Sequence, residues 1–188
     1  MFTEQQIEKS FGKINEISEE ELTADFQKMI QKQNSAIGFV MANVGQHKLQ
    51  ENTKHATIEL LFYIFDLYKE SGFKDTLTED SIIEAIKKMD LVSSKISEDI
   101  GGLSKEDIQV LNKAIEIGKS DKLTGKPKAI LDAILNKKKQ VSQPVLLEFL
   151  SMNISKDEMI IEKDKSFVFS IMESLIEGIQ LQYKKYLN

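Results

Sequence analysis

His55-Ala56-Thr57-Ile58-Glu59-Leu60-Leu61-Phe62-Tyr63-Ile64-Phe65-Asp66-Leu67-Tyr68-Lys69-Glu70 carries the strongest structural signal in the chain. Wound as a helix from Asn52 or Thr53 to Ser71-Gly72, it bears apolar side chains on nearly all sides between Ile58 and Leu67, the pattern of a helix enclosed by other helices. Burial of a large aliphatic or aromatic side chain stabilises by about 1.5–3 kcal/mol, so Leu61, Phe62 and Phe65 alone make this segment the expected middle of a core.

Outward from it, the same 3.6-residue rhythm recurs in both directions. On the N-terminal side, Ile7, Phe11, Ile14 and Ile17 form one apolar stripe across residues 4 to 17. Ser18-Glu19-Glu20-Glu21 then reads as a cap followed by an acidic first turn. The next helix is expected from Glu19 to Ala42, burying Leu22, Phe26, Met29, Ile30, Ile37, Val40 and Met41, with Asn34-Ser35 and Gly38 as points of bending and Gly45 as terminator. On the C-terminal side, Thr78-Glu79-Asp80 caps a helix carrying Ile82, Ile83, Ile86 and Met89, and Ser104-Lys105-Glu106-Asp107 caps another carrying Ile108, Leu111 and Ile115. Loops are expected at 90–102, ending in Gly101-Gly102, and at 119–128. A helix from Lys128 to Lys138 follows, Pro144 opens another, and the last, about Asp164 to Tyr186, sets Val168, Ile171, Met172, Leu175, Ile176, Ile179 and Tyr183 along one face.

Composition agrees with a helical protein. The chain has 188 residues, 41% hydrophobic and 29% charged, with nine Gly and two Pro, too few breakers for an all-β fold that needs a turn about every eight to twelve residues. A net charge of −5 and a pI near 5.2 argue against a dedicated binder of nucleic acid, which must neutralise phosphates. Every basic residue is Lys, which removes mechanisms that rely on the planar two-point grip of Arg. Cysteine is absent, so disulfides, thiolate nucleophiles and Cys-held metals are excluded. Met1-Phe2-Thr3-Glu4-Gln5-Gln6 does not read as a secretory signal, and the apolar window Ile58–Tyr68 is about half the length needed to span a bilayer. The expected location is cytoplasmic.

A weak internal repeat is visible at an offset of 110 residues. Gln33-Asn34-Ser35-Ala36-Ile37-Gly38-Phe39-Val40 aligns with Gln143-Pro144-Val145-Leu146-Leu147-Glu148-Phe149-Leu150, sharing Gln and Phe, and each segment precedes an apolar helix. The expected units are 19–72 and 140–188, two similar helical hairpins flanking a polar central helical insert at 73–139.

Only one spacing resembles a chemical site. His47, Glu51, His55 and Glu59 follow one another at four-residue intervals, and on an uninterrupted helix they would offer two imidazoles and two carboxylates to zinc, iron or manganese. Gly45 and Asn52-Thr53 argue for a connection inside that stretch, which would scatter the set. Glu59, Asp66 and Glu70, with Tyr63 among them, share one side of the core helix, where burial would shift a carboxylate towards catalysis and solvation would not. Asp90, Asp99 and Asp107 lack the alternation of a calcium loop. Gly118-Lys119-Ser120 and Gly125-Lys126-Pro127 fail as phosphate loops, and no dinucleotide or nucleophile-elbow motif occurs. Lys137-Lys138-Lys139, near Lys122, Lys126 and Lys128, and the Lys184-Lys185 pair suit solvated helix ends better than a nucleic-acid surface, because stacking aromatics are missing from the first group. Phe167, Phe169 and Met172 fit a core stripe better than a docking face.

The chain is therefore expected to be a single all-α domain over 1–188, a multi-helix bundle or short helical array of six to eight helices. The expected function is non-catalytic, a helical interaction or regulatory module that recognises a protein partner or a second copy of itself, with no cofactor and no assigned small-molecule ligand. The alternatives are a metal-binding protein or metal-dependent enzyme using His47, Glu51, His55 and Glu59, and a weak nucleic-acid-binding regulator using Lys137 to Lys139.

Overall fold

A computed structural model describes residues 1–14, 16–101, 103–109, 125, 127–132 and 142–187, and among them every regular element is helical. The chain divides into two compact units, one formed by Met1–Ala85 with Ser142–Asn188 and the other by Ile86–Val141. The first unit contains α1 (Glu4–Ile14), α2 (Glu19–Lys32), α3 (Asn34–Gln46), α4 (Glu51–Glu70), the opening of α5 (Glu79–Gly101), α6 (Pro144–Lys156) and α7 (Lys165–Leu187), with a 3-10 turn at Glu162–Asp164 leading into α7. The second contains the remainder of α5 and helical backbone at 105–109 and 127–132, the former opened by the Ser104 hydroxyl accepting the Asp107 N–H at 3.1 Å.

Nine α-helical stretches thus occur among the described residues, where the periodicity led to six to eight. One reason is that the helix expected from Glu19 to Ala42 is two helices. Gln33 is both the last cap of α2, its N–H donating to Met29 O at 2.7 Å, and the first cap of α3, its carbonyl accepting from Ile37 N at 3.0 Å. The reverse happens in α5, which continues through the expected loop at 90–102 as far as Gly101. No Gly or Pro lies between Phe73 and Ile100 to stop it.

Within the first unit α4 packs against α1, α2, α3 and α7, and α7 also packs against α3 and α6. This is why α4 reads as apolar all round: Leu60, Leu61, Phe62, Ile64, Phe65, Leu67 and Tyr68 are all buried. Helices with fewer neighbours bury a narrower face. Ile30 and Met41, expected inside, and Ile83, in the apolar run of α5, are exposed by 38%, 48% and 40%. Each is the second member of an apolar doublet whose first member, Met29, Val40 or Ile82, is buried. Successive residues on a helix point about 100° apart, so only one of each doublet faces inward.

The connections are held by polar side chains reaching from helices. The buried Gln33 amide donates to Asp75 O at 2.9 Å and accepts from Leu77 N at 2.8 Å, while Gln182 donates to Thr76 O at 2.7 Å and accepts from Thr78 N at 2.9 Å. Residues 75–78 are therefore clamped on alternate sides, each amide substituting for a neighbouring strand, and the N–H of Leu77, the buried residue among the four, is paired where water would not reach it. Thr53 repeats the device on the connection between α6 and α7, donating to Met159 O at 3.2 Å and accepting from Ile161 N at 3.5 Å. Glu177 of α7 accepts from both Ser142 N, at 2.7 Å, and the Ser142 hydroxyl, at 3.0 Å, just before α6.

Two helix ends share one geometry. After α4, Gly72 N bonds Lys69 O at 3.0 Å and Phe73 N bonds Tyr68 O at 2.9 Å; after α3, Lys48 N bonds Gly45 O and Leu49 N bonds Val44 O, both at 3.3 Å. Both ends turn through a left-handed residue, Gly72 at φ 96° and Lys48 at φ 51°, and both then bury an apolar side chain, Phe73 or Leu49.

Candidate functional site

The four-residue ladder of His and Glu does not lie on one helix. α3 ends at Gln46, His47 is its cap, and α4 begins at Glu51, so the non-helical residues 48–50 separate the first imidazole from the other three groups. His47 lies against the Phe167 ring, centroids 3.7 Å apart. Glu51 pairs with Lys54 at 2.5 Å, a contact whose hydrogen bond holds the Glu51 carboxyl below its usual range. Glu59 accepts the Tyr63 hydroxyl at 2.8 Å, and His55 is exposed. Among the described residues no three His, Asp or Glu side chains gather where they could hold a metal ion.

The acidic side of α4 is also divided among separate partners. Glu70 accepts Lys13 of α1 at 2.6 Å, a bond that raises the lysine above its usual value. Tyr63 is half-buried, stacks on Phe11 with centroids 4.6 Å apart, and is pushed upward first by burial and then by Glu59. A phenol so shifted holds its proton more tightly, which suits a structural hydrogen bond and not a proton relay at neutral pH. Asp66 is pushed upward by burial, with Lys69, 3.9 Å away, acting in the opposite sense.

Among the described residues, hollows open around α4. The groove between its N-terminal half and α2 has a volume of about 380 Å³ and is walled by Leu22, Phe26, Ile58, Phe62 and Tyr63, with His55, Glu59 and Thr23 at the edge. A second, of about 430 Å³, opens on the other flank of α2 over the C-terminal half of α4; Phe62 belongs to both. Its floor is Met29, Phe62, Phe65 and Phe73, and its polar wall is Asp25, Lys28, Lys32, Asp66, Lys69 and Lys74. Lys28 bonds Asp25 at 3.0 Å and holds that carboxyl below its usual value, and Lys69 lies 4.0 Å from Asp25. The third hollow, about 460 Å³, lies where Phe11, Tyr63 and Phe149 meet, beside Asn153 and Lys156.

Sequence reasoning found Asp66, Glu59 and Tyr63 but neither of the hollows that flank α2. Their walls come from two helices and the turn after α4, segments some thirty to forty residues apart in the chain, and no local spacing announces such a meeting. Of the other segments singled out, Met172 is fully buried and Phe167 and Phe169 are half-buried, whereas Lys122, Lys126 and Lys137 to Lys139 lie outside the described residues. Among the described residues no helix is long and apolar enough to cross a membrane. Comparison with protein-family models, with curated proteins and with solved structures finds no match to the chain.

Proposed function

We propose that the chain is a non-catalytic helical interaction module of the cytoplasm that receives the apolar face of a partner protein's helix in the groove between α2 and α4. The observation that carries this reading is the groove's lining: Leu22 and Phe26, one helical turn apart on α2, stand with Ile58 and Tyr63 of α4, all four half-exposed and all apolar or aromatic. Helix-in-groove recognition requires this, a trough bounded by two rigid helices whose apolar side chains can accept anchors at i, i+3 and i+4. Aromatic side chains at such a site supply large contact areas at small entropic cost.

The unit that carries the groove is read as containing two similar hairpins, α3–α4 and α6–α7, with α2 outside both. In support, α3 and α6 each run for thirteen residues at the 110-residue offset, each is preceded by a buried Gln, and in each an Asn amide bonds a Phe carbonyl at 2.8 Å, Asn43 to Phe39 and Asn153 to Phe149.

Thr23 is exposed at the groove edge, so Thr23→Lys obstructs the trough without removing core volume. Affinity purification from the native cell with wild-type and Thr23→Lys baits of equal melting temperature should retain a partner on the first and lose it on the second. Identical retained sets on both baits would overturn the reading. A second copy as occupant would instead appear as concentration-dependent dimerisation that Thr23→Lys abolishes.

A further inference from the structure

The hollow on the other flank of α2 differs from the groove in its charge. Its floor of Met29, Phe62, Phe65 and Phe73 is apolar, and its volume of about 430 Å³ lies in the range of roughly 300–1,000 Å³ typical of small-molecule sites. Four lysines and two aspartates stand on its walls in a chain whose net charge is −5. The ion pairing within this set is uneven. Asp25 is engaged by Lys28 at 3.0 Å and by Lys69 at 4.0 Å, and Lys69 also faces Asp66 at 3.9 Å. Lys32 and Lys74 have no carboxylate partner among the described residues. Two uncompensated cations therefore border a cavity floored by aromatic rings and a thioether.

Lys32 lies in the last turn of α2, where the helix dipole favours a cation. Lys74 follows the turn that ends α4 and has no such reason for its place. A neutral apolar ligand would leave both ammonium groups unanswered, and a cationic one would be repelled by them. A negatively charged head on an apolar body satisfies both parts of the wall at once. The flexible four-carbon stems of Lys32 and Lys74 let their ammonium groups meet the head while their methylenes extend the apolar floor.

We propose that this hollow is a binding site for a small amphiphilic carboxylate, an aliphatic or aromatic acid whose body rests on Met29, Phe62, Phe65 and Phe73 and whose carboxylate sits between Lys32 and Lys74. The site is separate from the groove proposed to hold a partner helix, and either can exist without the other.

Three probes with a twelve-carbon chain that differ in the head test this: dodecanoate and dodecyltrimethylammonium below their micellar concentrations and dodecanol below its solubility limit, each titrated calorimetrically into the full chain. Dodecanoate should bind with one-to-one stoichiometry, at least about tenfold more tightly than dodecanol, and the ammonium probe more weakly still. Raising the salt concentration should weaken dodecanoate and leave dodecanol unchanged. Lys32→Gln/Lys74→Gln, which alters only exposed side chains, should bring dodecanoate down to the affinity of dodecanol. Nuclear magnetic resonance should place the shifts at the Met29 methyl and the Phe73 ring and leave Ile58 in the groove unmoved. Equal affinities for the three heads, indifference of dodecanoate to the double substitution, shifts centred on Ile58, or no stoichiometric binding would each overturn the proposal. Shifts at Ile58 alone would leave the groove reading standing, and identical retained sets on the wild-type and Thr23→Lys baits would leave this one standing.

Discussion

The helix pairs α3–α4 and α6–α7 begin alike and end differently. Both first helices run for thirteen residues behind a buried glutamine, and both turn three equivalent positions inward, Ala36, Val40 and Val44 in α3 and Leu146, Leu150 and Ile154 in α6, which buries Leu147 as well. The larger residues are all in α6. The glutamines also serve different neighbours, since Gln33 grips Asp75 and Leu77 with both ends of its amide while Gln143, among the described residues, only accepts, its oxygen taking the Phe2 N–H at 2.8 Å. At the far ends, α3 turns tightly through Lys48 into α4, whereas α6 runs out into an extended residue, Asp157, and a longer connection held by Thr53. Apolar periodicity specifies each helix from within. The route between helices is specified by single polar side chains from elsewhere in the chain.

The largest effects should come from the inward positions that the two helices have in common. Leu150 is fully buried, and Leu150→Ala should destabilise by about 2–5 kcal/mol, the transfer cost of the lost atoms plus that of the cavity left behind. Val40 is equally buried but has less to lose, so Val40→Ala should cost roughly half as much. Urea unfolding of both variants checks the ratio. Equal losses would mean that α3 is packed more tightly than its smaller residues imply.

Next in size are the two glutamines. Gln33→Leu preserves bulk but strands the buried Leu77 N–H and takes a partner from the part-buried Asp75 carbonyl, for a loss of roughly 2–3 kcal/mol. Gln143→Leu strands only the Phe2 N–H, for about 1–2 kcal/mol. Amide hydrogen exchange should localise the difference: in Gln33→Leu, Leu77 should lose protection while Leu150 keeps it until global unfolding. A Gln33→Leu variant as stable as wild type, with Leu77 still protected, would show that residues 75–78 are held without the clamp set at the break between α2 and α3.

That break marks how far the sequence can be read. α4 was legible because its burial is nearly complete and so leaves an unbroken apolar run. The start of α2 was legible because Ser18 and Glu21 bond each other's backbone within a single turn, and the start of α6 because Pro144 suits a first helical position. Gln33 gave no such sign. Its partners lie 42 and 44 residues away, and those of Gln182 lie 104 and 106 away, so nothing local records them. The hollows beside α2 were illegible for the same reason. Lys32 and Lys74 are ordinary surface lysines in sequence and become neighbours of one cavity only when the turn after α4 comes up beside α2. Exposed Ile30, Met41 and Ile83 add a different lesson: an apolar doublet shows that a helix has an inward face but not which member occupies it.

The smallest predicted effects lie at the two helix exits, where one substitution should act with opposite signs. Lys48 sits at φ 51°, a left-handed conformation in which a Cβ crowds the following carbonyl. Lys48→Gly relieves that crowding but gives the unfolded chain more freedom to lose, and the balance should be a gain of about 0.5–1 kcal/mol. Gly72 already fills the equivalent place after α4. Asp157, which ends α6, has φ −70° and ψ 117°, so glycine relieves nothing there; Asp157→Gly instead removes the bond from Met159 N to the Asp157 carboxylate at 2.8 Å. The loss should be about 1 kcal/mol. A thermal melt of each variant decides the matter, because the expected shifts differ in direction and not merely in size. If Lys48→Gly also lowered the melting temperature, the left-handed turn after α3 would have to be held by the Lys48 side chain, and the likeness between the ends of α3 and α4 would be one of backbone shape without a common cause.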